Sequence, residues 1–168
     1  MAAKPIADAI FKTRGRRQNQ YAVLALKAGV KIPWEQLKKE YLKSPEHHWY
    51  FLGMVLEHGP YPVETVLPFA IEELRKGREE YIDWHLAIIC KGLVKYGAKA
   101  APAVPVLIPL LKHSDNDTRE HAANLLGAIG ALAHKALPEL ERLAKEDPNE
   151  KVRGVAAAAA WSIKGPQL

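Results

Sequence analysis

Apolar residues along the chain recur with the period of a single helix face, most clearly in the C-terminal half. Val104, Leu107, Ile108 and Leu111 follow the i, i+3, i+4, i+7 spacing, and the same spacing returns as Ala122, Leu125, Leu126 and Ile129 after the polar break Ser114-Asp115-Asn116-Asp117. Two helices joined by a short turn are predicted. Val63, Val66, Leu67, Ala70, Ile71 and Leu74 predict an earlier amphipathic helix, and Trp34, Leu37 and Tyr41 begin another.

The pattern is itself repeated. Pro105, Leu107 and Leu110 return as Pro138, Leu140 and Leu143 at a shift of 33, and Arg119, Ala122, Ala123 and Ile129 return as Arg153, Ala156, Ala157 and Ile163 at a shift of 34. One residue is added in the turn. Going backward, Ala122 and Gly127 correspond to Ala87 and Gly92, and Trp84 to Trp49, at a shift of 35. A unit this small cannot bury its own apolar face and does so by stacking on its neighbours. The expectation is one all-α domain over residues 1–168, an α-solenoid (α-α superhelix) of four to five helical pairs. An irregular cap pair occupies 1–31, and regular pairs occupy 32–60, 61–97, 101–131 and 134–165.

Turn chemistry agrees with these divisions. Ser44-Pro45 and Asp147-Pro148 each offer an N-cap oxygen ahead of a proline at the first helical position, where a missing N–H costs nothing. Gly59-Pro60 and Gly97 read as stops for second helices.

The string Val104-Pro105-Val106-Leu107-Ile108-Pro109-Leu110-Leu111, with Asp117-Thr118-Arg119, Ala122-Ala123 and Leu126-Gly127-Ala128-Ile129-Gly130, resembles the HEAT repeat, especially the form found in phycobilisome-lyase-related bacterial proteins. The next unit keeps Leu137-Pro138, Asp147, Val152-Arg153 and the alanine run. The resemblance implies a ladder formed along the stack by the aspartate and arginine of successive repeats, an arrangement that Asp147 with Arg153 fits. Trp49 and Trp84 stand where earlier units would carry the arginine. It implies architecture more than function, because HEAT-like arrays serve as scaffolds, adaptors, nucleic-acid binders and occasionally enzymes. A chromophore-lyase-like accessory role follows from that kinship alone.

Composition narrows the function classes. A content of 48% hydrophobic and 26% charged residues suits a folded soluble domain, and the longest strongly apolar run, 155–161, is far below the roughly 20 residues a bilayer core demands. No membrane association is expected. Cys90 is the lone cysteine, so no internal disulfide can form, and the first thirty residues lack the apolar stretch of a secretion signal. A cytoplasmic setting is expected. In Ile88-Ile89-Cys90 the thiol reads as a small buried group without a neighbouring cation to activate it.

No H-E-x-x-H, C-x-x-C, G-x-x-x-x-G-K-[ST], G-x-S-x-G or G-x-G-x-x-G occurs, so no catalysis and no cofactor are expected. His47, His48, Asp83 and His85 make the best metal-ligand cluster, but adjacent histidines diverge by about 100° on a helix, and surface histidines are the expectation.

Two binding features remain. Residues 1–43 hold ten Lys/Arg against three Asp/Glu, whereas the rest of the chain is slightly acidic. Lys12, Arg14, Arg16 and Arg17 concentrate that charge and would contact backbone phosphates if the array binds nucleic acid, the alternative being a solvated turn. The second feature is the column Trp49, Trp84, Arg119 and Arg153, with Tyr50 and His85 beside its first two members. Equivalent positions should align along the second helices as a partner-protein contact stripe, the alternative being tryptophans that fill the core. The primary expectation is a non-catalytic protein-interaction scaffold using that stripe. The smooth helix of Ala156–Ala160 offers either tight internal packing or an apolar edge for self-association through the C-terminal pair.

Overall fold

The structure, a computed structural model, describes residues 24–43, 49–76 and 84–165. Short helical structure at 24–27 precedes eight longer helices: α1 (Trp34–Lys43), α2 (Trp49–His58), α3 (Val63–Lys76), α4 (Trp84–Leu93), α5 (Val104–Leu110), α6 (Asn116–Ile129), α7 (Leu137–Glu146) and α8 (Glu150–Lys164). No strand occurs among the described residues. The fold is the all-α, solenoid-like arrangement that the repeated pattern predicts.

The helices alternate between two layers. Second helices stack in chain order, α2 on α4, α4 on α6 and α6 on α8, while α3 and α5 meet in the other layer. Small residues permit the close approach. A Cβ on Gly127 would lie 2.9 Å from the Ala159 Cα, one on Gly92 would lie 2.6 Å from the Leu56 Cβ, and one on Gly53 would collide with Ile88. The core runs continuously along the stack from Leu52 to Ile163, with Leu107, Leu125, Leu126 and Leu140 buried between layers.

In α3 the apolar face Val63, Val66, Leu67, Ala70 and Leu74 is buried, which is the period that made the helix legible. Of the three described links from a second helix to the next first helix, 59–62 is non-helical, while the other two are built of 3₁₀ turns, Val94–Ala103 and Gly130–Ala136, which the apolar pattern does not predict. Ala100 and Ala103 recur as Ala133 and Ala136, all fully buried, so each 3₁₀ link tucks its alanines into the core. Left-handed backbone at Gly97 (φ 51°) and Gly130 (φ 73°) bends the chain there. Gly97 breaks the helical path just after the 3₁₀ turn 94–96 that continues α4 beyond Leu93, so the second helix stops there, as the glycine predicts.

Candidate partner-binding surface and the joints that shape it

The joint between the last two helical pairs is built from charged side chains. Arg119 stands in the first turn of α6, behind the N-cap Asp115, whose carboxylate accepts from the Thr118 amide at 2.7 Å. Its Nε and Nη2 donate to the two oxygens of Asp147 at 2.8 and 3.0 Å. Nη1 donates to the carbonyls of His113 and Ser114, both at 2.8 Å, and Nη2 also reaches Asn116 Oδ1 at 2.5 Å. The guanidinium thus ties its own turn to the turn of the next repeat. Both partners are withdrawn from water, Arg119 at 7% exposure and Asp147 at 4%.

The Arg119–Asp147 pair is an aspartate–arginine rung between successive repeats, and the geometry corrects the expectation that Asp147 is an N-cap. It does not cap the helix that follows, because α8 begins at Glu150 and Asn149 is the N-cap, accepting from the amides of Lys151 and Val152 at 2.9 and 3.2 Å. Nor does its carboxylate pair with Arg153. Arg153 Nη1 donates to the backbone carbonyls of Asp147 (2.8 Å) and Pro148 (3.3 Å), repeating at a shift of 34 what Arg119 does to His113 and Ser114. The carboxylate looks backward along the stack, to the arginine of the preceding repeat.

Burial alone would raise the Asp147 pKa. The Arg119 hydrogen bonds, the Asn149 amide and the charges of Arg119 and Arg142 outweigh it and hold the carboxyl below its ordinary range. An open cleft of about 470 Å³ lies beside this pair, lined by Lys112, His113, Arg142, Glu146 and Pro148 among others. Its ionic groups are engaged with one another and their neighbours: Arg142 contacts Glu139 at 2.6 Å and Glu146 at 3.7 Å, and Lys112 contacts Glu139 at 3.7 Å. Such an arrangement holds turns together.

The N-terminal half uses a different joint, which sequence reasoning missed. Tyr61 Oη donates to the Ile32 carbonyl at 2.7 Å, and Tyr96 Oη donates to the Tyr61 carbonyl at 3.0 Å. Each tyrosine ties the linker ahead of one first helix to the linker ahead of the previous one. Burial pushes the Tyr96 phenol up to about 12 and raises Tyr61 further, so both remain donors. Their separation of 35 residues was the available signal. Lys95 adds bonds to the carbonyls of Glu57 (3.2 Å) and Gly59 (2.8 Å) at the end of α2, a cation where a helix C-terminus favours one.

The proposed stripe residues do not form one exposed column. Arg119 and His85 are buried, the first in the inter-repeat joint and the second at 6% exposure on the packed side of α4. The reason is physical: α4 and α6 each lie between two neighbours, so a position repeated along the stack can fall at a packing face. Arg153 is half-buried. Trp49 and Tyr50 open α2 and Trp84 opens α4, while their side chains lie outside the described structure. Lys12, Arg14, Arg16, Arg17, His47, His48 and Asp83 also lie outside the described residues.

The positions that are exposed in register belong to another face. Asp117, Asn124 and Ala128 of α6 correspond at a shift of 34 to Lys151, Ala158 and Ser162 of α8, and all six face solvent. Cys90 is fully buried, and desolvation pushes its thiol up to about 12, which removes it as a nucleophile. Among the described residues no group of three His, Cys, Asp or Glu could hold a metal ion, and no helix is long and apolar enough to cross a membrane.

The sequence pattern of the family described as HEAT repeats matches residues 67–161. A comparison with curated proteins gave no match.

Proposed function

The chain belongs to the HEAT-repeat family, and from that premise we propose that it is a non-catalytic scaffold that binds a partner protein along the outward side of its second helices. The observation that carries the reading is the register of the stack. Because α6 and α8 pack with equivalent faces inward, the same helical positions recur outward, and Asp117, Asn124 and Ala128 continue into Lys151, Ala158 and Ser162 as one lateral surface.

The chemistry of the joints supports a scaffold over an enzyme. Arginine, aspartate and tyrosine side chains are used to fix one repeat against the next, and the cysteine is buried and protonated. A surface of fixed shape loses little conformational entropy when it binds. Photocrosslinking tests the assignment. A photoreactive amino acid at Asn124 or Ala158, on the lateral surface, is expected to capture a partner from extracts of the source cells, while the same group at Glu72 or Lys145, exposed on first helices, is expected to capture little. Equal capture from both layers would refute this surface.

A further inference from the structure

We propose that the edge of the stack formed by the segments leading into the first helices lies on an anionic lipid surface, with Leu132 entering the headgroup layer and Lys31, Lys99 and Lys135 meeting the anionic headgroups. This edge is separate from the lateral surface of the second helices, and the proposal does not depend on a partner binding there.

These segments are tied into one edge. Tyr96 donates to the Tyr61 carbonyl and Tyr61 to the Ile32 carbonyl, and the link 94–103 packs on the link 130–136. Segment 28–33, which leads into α1, and these two links each turn through a glycine with left-handed backbone: Gly29 (φ 78°), Gly97 (φ 51°) and Gly130 (φ 73°). The residue two positions beyond each glycine, Lys31, Lys99 and Leu132, is exposed. Lys-x-Gly-x-Lys recurs at 27–31 and 95–99, and Leu132 stands where those two segments end in lysine.

Charge distinguishes this edge from the helices. Segments 28–33, 94–103 and 130–136 contain no Asp or Glu. On the helices, Lys38, Arg75, Lys91 and Lys164 each meet a carboxylate. Among the described residues nothing bonds the ammonium groups of Lys31, Lys99 or Lys135, and all three are exposed. Of the acids in the first turns of α1, α3 and α7, Glu35 is engaged by Lys38 and Glu139 by Arg142, which leaves Glu64 to oppose them. Leu132 is 59% exposed, three residues before Lys135. The edge therefore combines uncompensated cations with an uncovered aliphatic side chain.

A bilayer surface accounts for both features. Lysines near anionic headgroups are attracted to them, and an aliphatic side chain that reaches the acyl boundary adds a contribution that salt does not screen. A nucleic-acid duplex would use the lysines and leave Leu132 in water. Lying on a surface requires no spanning segment, and no described helix is long and apolar enough to be one.

The test is flotation of the full chain with vesicles of phosphatidylcholine, alone or mixed with phosphatidylserine. Association with the mixed vesicles only is expected, falling as salt is added. Lys99→Gln and Lys135→Gln should each weaken the partition about fivefold, and Leu132→Ser about fivefold or more. These side chains are exposed, so each variant should melt with the parent, which separates lost binding from lost fold. Because Cys90 is fully buried, Leu132→Cys and Asn124→Cys can each carry a single environment-sensitive fluorophore. The label at 132 should shift to the blue on mixed vesicles and the label at 124, on the lateral surface, should not. No flotation at low salt, flotation indifferent to the lysine and leucine changes, or equal shifts of both labels would overturn the proposal. Binding to duplex DNA or RNA that needs the lysines, with vesicle binding absent, would assign the edge to a nucleic acid and overturn it as well.

Discussion

The Asp147 carboxylate accepts from Arg119 Nε, Arg119 Nη2 and the Asn149 amide, and with so little water contact it has no alternative partners. Asp147→Asn, which leaves a buried guanidinium without its counter-charge, is expected to cost about 3–5 kcal/mol in urea unfolding. A loss below about 1 kcal/mol would show that water reaches the pair. Replacing both partners with apolar residues should cost less than the single change. The pH dependence has a definite sign. The folded carboxyl titrates below its unfolded value, so its contribution is present above the ordinary carboxylate range and is lost as pH falls through the folded value. Between about pH 5 and pH 2 the stability of Asp147→Asn should fall less steeply than that of the native chain. Cys90 provides a second residue-scale check: at pH 8 native protein should resist iodoacetamide and react only once urea unfolds it.

At the scale of elements, two glycines in second helices should respond with opposite sign. Gly127→Ala forces a methyl within 2.9 Å of the Ala159 backbone and is expected to cost about 1–3 kcal/mol, read as a lower melting temperature. Gly154→Ala meets open space on an exposed helix and should stabilise by about 0.5–1 kcal/mol. The sequence made the helices and their pairing legible, because the buried faces of α3, α6 and α8 keep an unbroken helical period. It also aligned Gly92 with Gly127 without revealing why both are glycine. That reason is a contact with a neighbouring second helix, α2 for Gly92 and α8 for Gly127, invisible to any local pattern. Asp147 was misread for the same cause. A Pro that follows an Asp is a good cap signal, but the buried arginine 28 residues earlier competes for the carboxylate and prevails. Arg119 and His85 are buried, against their expected place in a surface column, because a shared repeat position fixes which way a residue points only relative to its neighbours, and helices lying between two others have neighbours on both sides.

For the whole molecule, contacts between second helices join each to the next along the chain, so stability should be distributed as in a one-dimensional array. Native-state hydrogen exchange on Gly127→Ala should show faster exchange in α6 and α8 than in the parent, with the amides of α2 nearly unchanged. Uniform acceleration along the chain would indicate a single cooperative core instead. The two halves differ in how their repeats are tied. Tyrosine-to-carbonyl bonds between linkers serve the first repeats, and the arginine–aspartate pair between turns serves the last.

The Arg119–Asp147 tie sits at one margin of the α6–α8 contact. At the opposite margin, among the described residues, one exposed bond crosses, from Ser162 Oγ to the Gly127 carbonyl at 2.9 Å, beyond the Gly127–Ala159 crossing. The contact is thus tied by a buried ion pair on one side, packed closely on small residues across its middle, and tied by an exposed bond on the other side. When the array bends, these helices are therefore expected to part first at the Ser162 end and last at the aspartate turn, which hydrogen exchange at the two ends of α8 would compare.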